Sequence, residues 1–380
     1  MHQRVAAPLD RELKAPQLFD LVIFAIALFL VSFSVVMVYS TTGVISTEKF
    51  GDPLYYAKRQ FLAALIGIGI MLAASRVNIE LVKRLSVFAL PLLLAMLLLT
   101  ILPGLGDVAG GARRWVNIFG LRFQPGEFVK VLFIIFMAGY LSRHERTLSS
   151  FSVGVVKPVI VMFLTAGLFL MQPDFGSAAV LALITLCMVG TAGVRIRYFL
   201  FFGLFVSLCL VAMVFLSPYR MQRVISFLYP WADASGKGYQ LIQSLIAIGI
   251  GQIAGVGLGA SQQKLFFLPA AHTDFIFAVI AEELGFIGCT CVILMFLLFL
   301  WRGMKLASRY AEDTFCFSLT LGLTLLIVLP ALLNIGVVTG LLPTKGMVLP
   351  LIGYGGSSLL SCLLAVGLIL ALARSFHKRL

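Results

Sequence analysis

Residues 264–285 read KLFFLPAAHTDFIFAVIAEELG. A polar turn, His272-Thr273-Asp274, runs straight into an apolar helix-forming stretch that continues past Gly285 to Trp301. About 20 such residues cross the roughly 30 Å hydrocarbon core of a bilayer, so the stretch reads as a membrane helix. Asp274 stands at its entrance. A carboxylate there is expensive to desolvate, and ionisable residues in such places mark function by default.

The rest of the chain repeats the apolar theme. Its 380 residues are 61% hydrophobic and only 12% charged, the composition of an all-α polytopic membrane protein. About ten spans are expected, at 19–41, 61–75, 85–102, 123–141, 156–171, 175–192, 199–217, 274–301, 314–333 and 351–373. They form a single domain over 1–380, with a cytoplasmic tail at 1–18 and a large extracytoplasmic loop at 218–273 between helices seven and eight. Arg4, Arg11 and Lys14 precede the first span as they would in a signal peptide. Its apolar run is too long for a cleaved leader and no small-residue cleavage site follows, so it reads as a retained helix. The six Cys are scattered through apolar runs with no metal-ligand spacing, so neither a disulfide framework nor a zinc site is expected.

Lys and Arg in short loops set orientation, because cytoplasmic connections retain positive charge. With the N-terminus inside, every inner segment is basic: Arg76/Lys83/Arg84, Arg143/Arg146, Arg195/Arg197, Arg302/Lys305/Arg309 and Arg374/Lys378/Arg379. An even number of spans then places both termini in the cytoplasm. The outer segments nevertheless carry Lys49, Arg113, Arg114, Arg122, Arg220, Arg223, Lys237 and Lys264. Singly, each could touch membrane lipid phosphates or remain solvated. As a group beside Asp274 they point to a phosphate-bearing substrate. The net charge of +13 is spread over alternating loops, which topology explains, and nucleic acid is not an expected partner.

The centre of the long interval, YQLIQSLIAIGIGQIAGVGLG, mixes apolar residues with Gln240, Gln243, Ser244 and Gln252 and is broken by Gly. It reads as a segment lying at the interface or folding back into the protein. Its glycines lack a preceding strand and the GKS/GKT signature of a phosphate loop. Neither a nucleotide nor haem is expected as a cofactor.

Glu127 and Lys130, three residues apart in RFQPGEFVKVLF, share a helix face and can neutralise each other or take part in chemistry. Asp174 in QPDFGS sits where a carboxylate caps a helix. Glu282 and Glu283 lie about 12 Å further along the helix than Asp274 and suit a buried polar contact better than a share in its site. His272 reads as a solvated or hydrogen-bonded loop residue.

The motifs GARRWVN, QPGEFVK, QPDFGS, YQLIQSL, GVGLGASQQKLFFLPAAHTDFIFAVIAEELG and GVVTGLLPTKGMVLPLIGYGGSSLL together resemble the SEDS family (shape, elongation, division and sporulation) from the first helix to the last. TGLLPTKG and GGSS resemble its division and sporulation branch more than its elongation branch. The resemblance implies a ten-helix peptidoglycan glycosyltransferase of the inner membrane that polymerises lipid II into a growing glycan strand at the division septum. It also implies a class B penicillin-binding transpeptidase and other division proteins as partners. It places the family's loop aspartate at Asp274, its RW pair at Arg114 and Trp115, its Glu and Lys at Glu127 and Lys130, and its PTKG lysine at Lys345. Gly126, Gly353 and Ala270 depart from the family's usual residues, and Ala270 removes a second loop carboxylate.

The chemistry follows from location. No ATP is available outside the cytoplasm, so the donor must arrive activated, as a sugar on a lipid diphosphate. One inverting displacement needs a base for the acceptor hydroxyl, and one carboxylate suffices. A retaining reaction needs a second. The expectation is Asp274 as base, with metal ligand or substrate positioning as alternatives. Arg114, Trp115, Lys345 and Lys264 are expected to bind substrate, and Glu127, Lys130, Asp174 and His272 to support the site. A divalent cation, Mg2+ or Mn2+, could neutralise the leaving diphosphate with Asp274 as its ligand. A flippase for the lipid-linked precursor and a division scaffold are the competing functions.

Overall fold

The computed structural model describes residues 20–102, 106–109, 112–118, 121–236, 238–265 and 267–379. The expected tail at 1–18, Phe19, Lys237 and the Arg113 side chain lie outside the described residues. Thirteen α-helices follow in chain order: α1 (Leu21–Phe50), α2 (Tyr55–Ala74), α3 (Ile79–Leu85), α4 (Ala89–Ile101), α5 (Pro125–Arg143), α6 (Lys157–Met171), α7 (Phe175–Thr191), α8 (Ile196–Phe215), α9 (Pro218–Leu228), α10 (Tyr239–Gly251), α11 (Ile276–Ser308), α12 (Thr314–Val338) and α13 (Gly356–Arg379).

Among the described residues eight helices are long and apolar enough to cross a membrane, and α3 with α4, bent by 69°, makes a ninth. The expected single span at 85–102 is therefore two helices. The 17-residue α7 rises about 26 Å, at the short end of spanning lengths. Each of the ten apolar stretches thus carries a helix among the described residues, the last beginning at Gly356 rather than at 351, and the chain is an all-α polytopic membrane protein. One small departure connects α4 to α5: β1 (Gly106–Ala109), β2 (Ala112–Ile118) and β3 (Leu121–Phe123) form an antiparallel ribbon in the order β1-β2-β3.

The central element is α12, buried along nearly its whole length between α11, α5, α13 and α7. A helix apolar all round belongs in such a core. Its neighbours close in through small residues, because in lipid close packing rather than hydrophobic expulsion holds helices together. On the α2–α13 face, a Cβ on Gly367 would lie 2.5 Å from the Met71 carbonyl. By contrast α8 turns Leu200, Leu204, Leu208 and Phe215 outward and forms the periphery. At the end of the bundle holding the start of α1, Asp20 caps α1 by accepting from Val22 N and Ile23 N, and Arg302 Nε donates to it at 2.7 Å.

One expectation is corrected along the 218–308 stretch. The interval 218–273 holds α9, a short 3-10 turn at Pro230–Asp233, and α10. The helix after Asp274 is not continuous: α11 breaks at Gly285 (φ 63°, ψ −159°). The reason lies opposite, where α10 ends at Gln252 (φ 46°, ψ −133°) and the chain turns back beside the break. There the N–H groups of Phe286 and Ile287 donate to the carbonyls of Gln252 and Ile253, while Val256 N and Gly257 N donate to those of Glu282 and Glu283. Each broken segment satisfies the other's bare backbone, as membrane burial demands. Gly285 is obligatory, because a Cβ there would lie 2.4 Å from Gly255 N and its positive φ disfavours a side chain.

Buried acids sit at this crossing. Glu282 accepts from Ser261 Oγ and, at 2.8 Å, from Gln262 N. Glu283 is paired with Lys264 Nζ at 2.7 Å and accepts from Ser40 Oγ of α1 at 2.6 Å. The Lys264 and Glu283 side chains are only 7% and 0% exposed, so this pair is sealed.

Candidate functional site

The polar groups at the other end of the bundle come from five segments. The first is the β-ribbon. Its pairing runs Asp107 to Trp115 and then Val108 to Arg113, so Arg114 is the extra residue of a bulge. Bulges re-aim side chains, and this one sends Arg114 to the turn before α7. There Nε donates to the Gln172 carbonyl at 2.8 Å and Nη2 to the Pro173 carbonyl. Asp174 in the same turn caps α7, accepting from Ser177 N at 3.2 Å and Ser177 Oγ at 2.7 Å.

The amphipathic α9 adds two arginines. Arg223 Nη1 donates to the Thr344 carbonyl at 3.0 Å, and Arg220 lies 4.9 Å over the Phe175 ring. Lys345, in the loop between α12 and α13, places Nζ 4.7 Å from the same ring. Phe175 thus carries two cations, each attracted by the face of its ring. Burial pulls the Lys345 ammonium down to about 8; Asp174 opposes this, while Arg114, Arg220 and Lys130 add to it.

Asp274 occupies the turn before α11 and lies against Gly346, where an added Cβ would be 2.7 Å from its Oδ2. Burial raises its carboxyl to about 6, against the pull of Arg223 and Arg114 and of a hydrogen bond from Thr273. A general base works best with a pKa near the operating pH. The turn itself is built on Ala270 (φ 56°), whose carbonyl accepts from the N–H groups of Thr273, Asp274 and Phe275.

A residue the motifs did not single out joins these loops. Asn334 of α12 is 1% exposed, and its Nδ2 donates to the carbonyls of Asp274 (2.7 Å) and Met347 (2.6 Å). One buried amide fastens the Asp274 turn to the Lys345 loop. Its signal was a lone amide in the apolar run LLNIGVV. Asn334→Leu removes both donors, at about 1 kcal/mol each. The expected outcome is a lower melting temperature together with a displaced acid limb in the pH–rate profile; an unchanged limb would reduce Asn334 to a packing residue.

The remaining expected site residues divide. Glu127 and Lys130 pair at 2.8 Å within α5, and Gln124 N at the start of that helix donates to Ser357 Oγ of α13. Trp115 stands opposite Asp107 in the ribbon, half-buried. His272 lies between the rings of Tyr56 and Tyr354 rather than in open solvent. Lys264 is corrected: its ammonium is consumed by Glu283 inside the helix crossing and is not available to substrate. Two departures from family pattern also find a cause. A Cβ on Gly126 would meet the Phe169 ring at 2.9 Å, and one on Gly353 would meet Val348 Cγ1 at 2.5 Å.

Such a bundle, with Asp274 held near fixed cations at its end, defines a multi-pass membrane protein with a cationic end site. The chain belongs to the family of FtsW, RodA and SpoVE cell cycle proteins, whose model matches residues 20–378. The probable peptidoglycan glycosyltransferase FtsW of Trichlorobacter lovleyi is 42% identical over 352 residues, covering 93% of this chain and 92% of that one. The stage V sporulation protein E of Bacillus subtilis is 40% identical over 355 residues, covering 93% and 97%. Among solved structures, a chain from work on the structural coordination of polymerization and crosslinking by a peptidoglycan synthase complex superimposes with a TM-score of 0.75 at 28% identity, covering 94% of this chain and 98% of that one. The rod shape determining protein RodA of Thermus thermophilus shares the fold, with a TM-score of 0.68 at 23% identity, covering 94% and 97%.

Proposed function

We propose that this chain is a peptidoglycan glycosyltransferase that polymerises lipid II into glycan strands at the extracytoplasmic face of the cytoplasmic membrane during cell division. The observation that carries the reading is Asp274, a carboxyl raised to about 6, pulled on by Arg223 and Arg114 and lying against Gly346 of the Lys345 loop. Asp274 takes the proton of the acceptor sugar hydroxyl as that oxygen attacks the anomeric carbon of the donor. The donor's bond to its lipid diphosphate breaks with inversion, and Arg114, Arg220, Arg223 and Lys345 stabilise the departing charge. An inverting displacement needs no second carboxylate as nucleophile, and among the described residues Asp174 caps α7 through Ser177 while Glu282 and Glu283 are engaged in the helix crossing.

Among the described residues no three His, Cys, Asp or Glu converge on a metal-binding point. Mg2+ commonly takes one or two carboxylates plus substrate phosphates, so in the role alternative to base Asp274 with the lipid diphosphate would hold such an ion and add to charge neutralisation. The end carrying Arg302 and Arg374 faces the cytoplasm with both termini, and the cationic end faces outward. A class B penicillin-binding transpeptidase and other division proteins are its partners at the septum, in keeping with the synthase complex to which the chain is similar.

The test is reconstitution with lipid II across pH. Polymer formation is expected to follow a bell: it falls tenfold per unit below about 6 as Asp274 protonates, and falls again above about 8 as Lys345 loses its charge. A flat profile between 5 and 9 would remove Asp274 as base. Transport of labelled lipid II across vesicles without polymer would identify a flippase instead, and neither activity would leave a scaffold.

A further inference from the structure

A row of rings that the proposed chemistry does not use begins two residues before Asp274. The His272 ring lies 5.8 Å from those of Tyr56 and Tyr354, which meet edge-to-face at 5.2 Å. Tyr56 continues to Tyr55 at 5.4 Å, and Tyr55 stacks on Phe50 at 3.9 Å. Four separate segments supply these rings: the end of α1, the start of α2, the turn before α11 and the loop before α13. The row is tied to the site by backbone, since Tyr354 N donates to the His272 carbonyl at 2.9 Å.

Membrane-interface belts also gather aromatics, but there each ring is an anchor at the headgroup level. Here the rings face one another, and Arg59 lies 4.4 Å over Tyr55 with its charge also acting on the Tyr354 phenol. Nor is the row a sealed core: Phe50 is 48% exposed and the other four are half-buried. Accessible aromatic faces with phenol, imidazole and guanidinium groups along their edges suit a ligand with apolar C–H faces and polar rims. A pyranose chain has that form. Peptidoglycan strands also carry stem-peptide carboxylates, which the charges of Arg59 and Lys49 complement.

We infer that Phe50, Tyr55, Tyr56, His272 and Tyr354, with Arg59, form a saccharide subsite on which the growing glycan strand rests between couplings. This rests on the glycosyltransferase reading above and names the part of the site that holds polymer. A single ring would serve one sugar; a contiguous row of five suits a strand longer than the disaccharide added in each cycle.

The full chain in lipid nanodiscs is titrated with a lipid-free tetrasaccharide of two GlcNAc–MurNAc repeats, with affinity read by saturation-transfer NMR. Tyr56→Leu and Tyr354→Leu are expected to weaken binding about fivefold each, the effect of losing one good aromatic stack. Tyr56→Phe and Tyr354→Phe keep the ring faces and are expected to stay within about twofold of the parent. Phe50→Leu, at an exposed position, replaces any Leu variant that fails to fold. Equal affinity in the parent and the folded Leu variants overturns the subsite, even where polymerisation proceeds. Ring-dependent binding in a chain that makes no polymer supports the subsite and counts against the glycosyltransferase reading alone.

Discussion

Asp274→Asn is expected to lower lipid II polymerisation by about 10²–10⁴-fold, the usual worth of a positioned general base. Asparagine preserves the shape beside Gly346 and the backbone bond to Asn334, so it removes the proton acceptor and little else. Stability should move the other way. Burial raises the Asp274 carboxyl from 3.8 to about 6, so ionisation costs the folded state stability that is present below 3.8 and lost as pH rises towards 6. At pH 7 a neutral amide escapes that cost, and the melting temperature of the variant should equal or exceed the parent's. Near-normal polymer yield from the folded variant would end Asp274's role as base. A large drop in melting temperature would mean that the carboxylate holds the fold, contrary to its desolvated setting.

The second large effect lies away from the chemistry. Lys264→Met strands the Glu283 carboxylate in a sealed position, and breaking one side of a buried pair costs about 3–5 kcal/mol. Removing both charges together, as in Lys264→Met with Glu283→Leu, should restore most of that loss, because well-packed apolar residues often replace a buried pair without penalty. Unfolding in detergent, followed by loss of helical signal, reads both. If the single variant melts with the parent, the pair contributes nothing and the crossing is held by its backbone bonds and the remaining contacts of Glu282 and Ser40.

The helices were legible because a membrane span is a matter of length and apolarity, which each stretch displays on its own. The break in α11 was not. The apolar run continues through it, and the cause is a partner segment about thirty residues earlier whose backbone meets the break at Gly285. Lys264 was misread for a related reason: sequence shows the charge but not that Glu283 consumes it. Asp274, Arg114 and Lys345 stood out as polar residues where polarity is costly. Phe175 did not, being ordinary at the start of an apolar helix until the ammonium over it is seen, and the lone amide of Asn334 gained a role only with its two carbonyl partners. The rings from Phe50 to Tyr354 are scattered over some three hundred residues, and only folding makes them neighbours.

The crossed breaks at Gln252 and Gly285 also constrain how the chain is made. A ribosome delivers α10 and its turn well before α11, so residues 252–257 emerge with bare backbone groups and no partner. Bare backbone groups cost several kcal/mol in hydrocarbon, which keeps that segment at the aqueous boundary until the second break arrives. The expected consequence is that the two enter the bilayer as one unit, and a translocation intermediate stalled before Gly285 should leave residues 252–257 open to water-soluble thiol reagents at engineered cysteines.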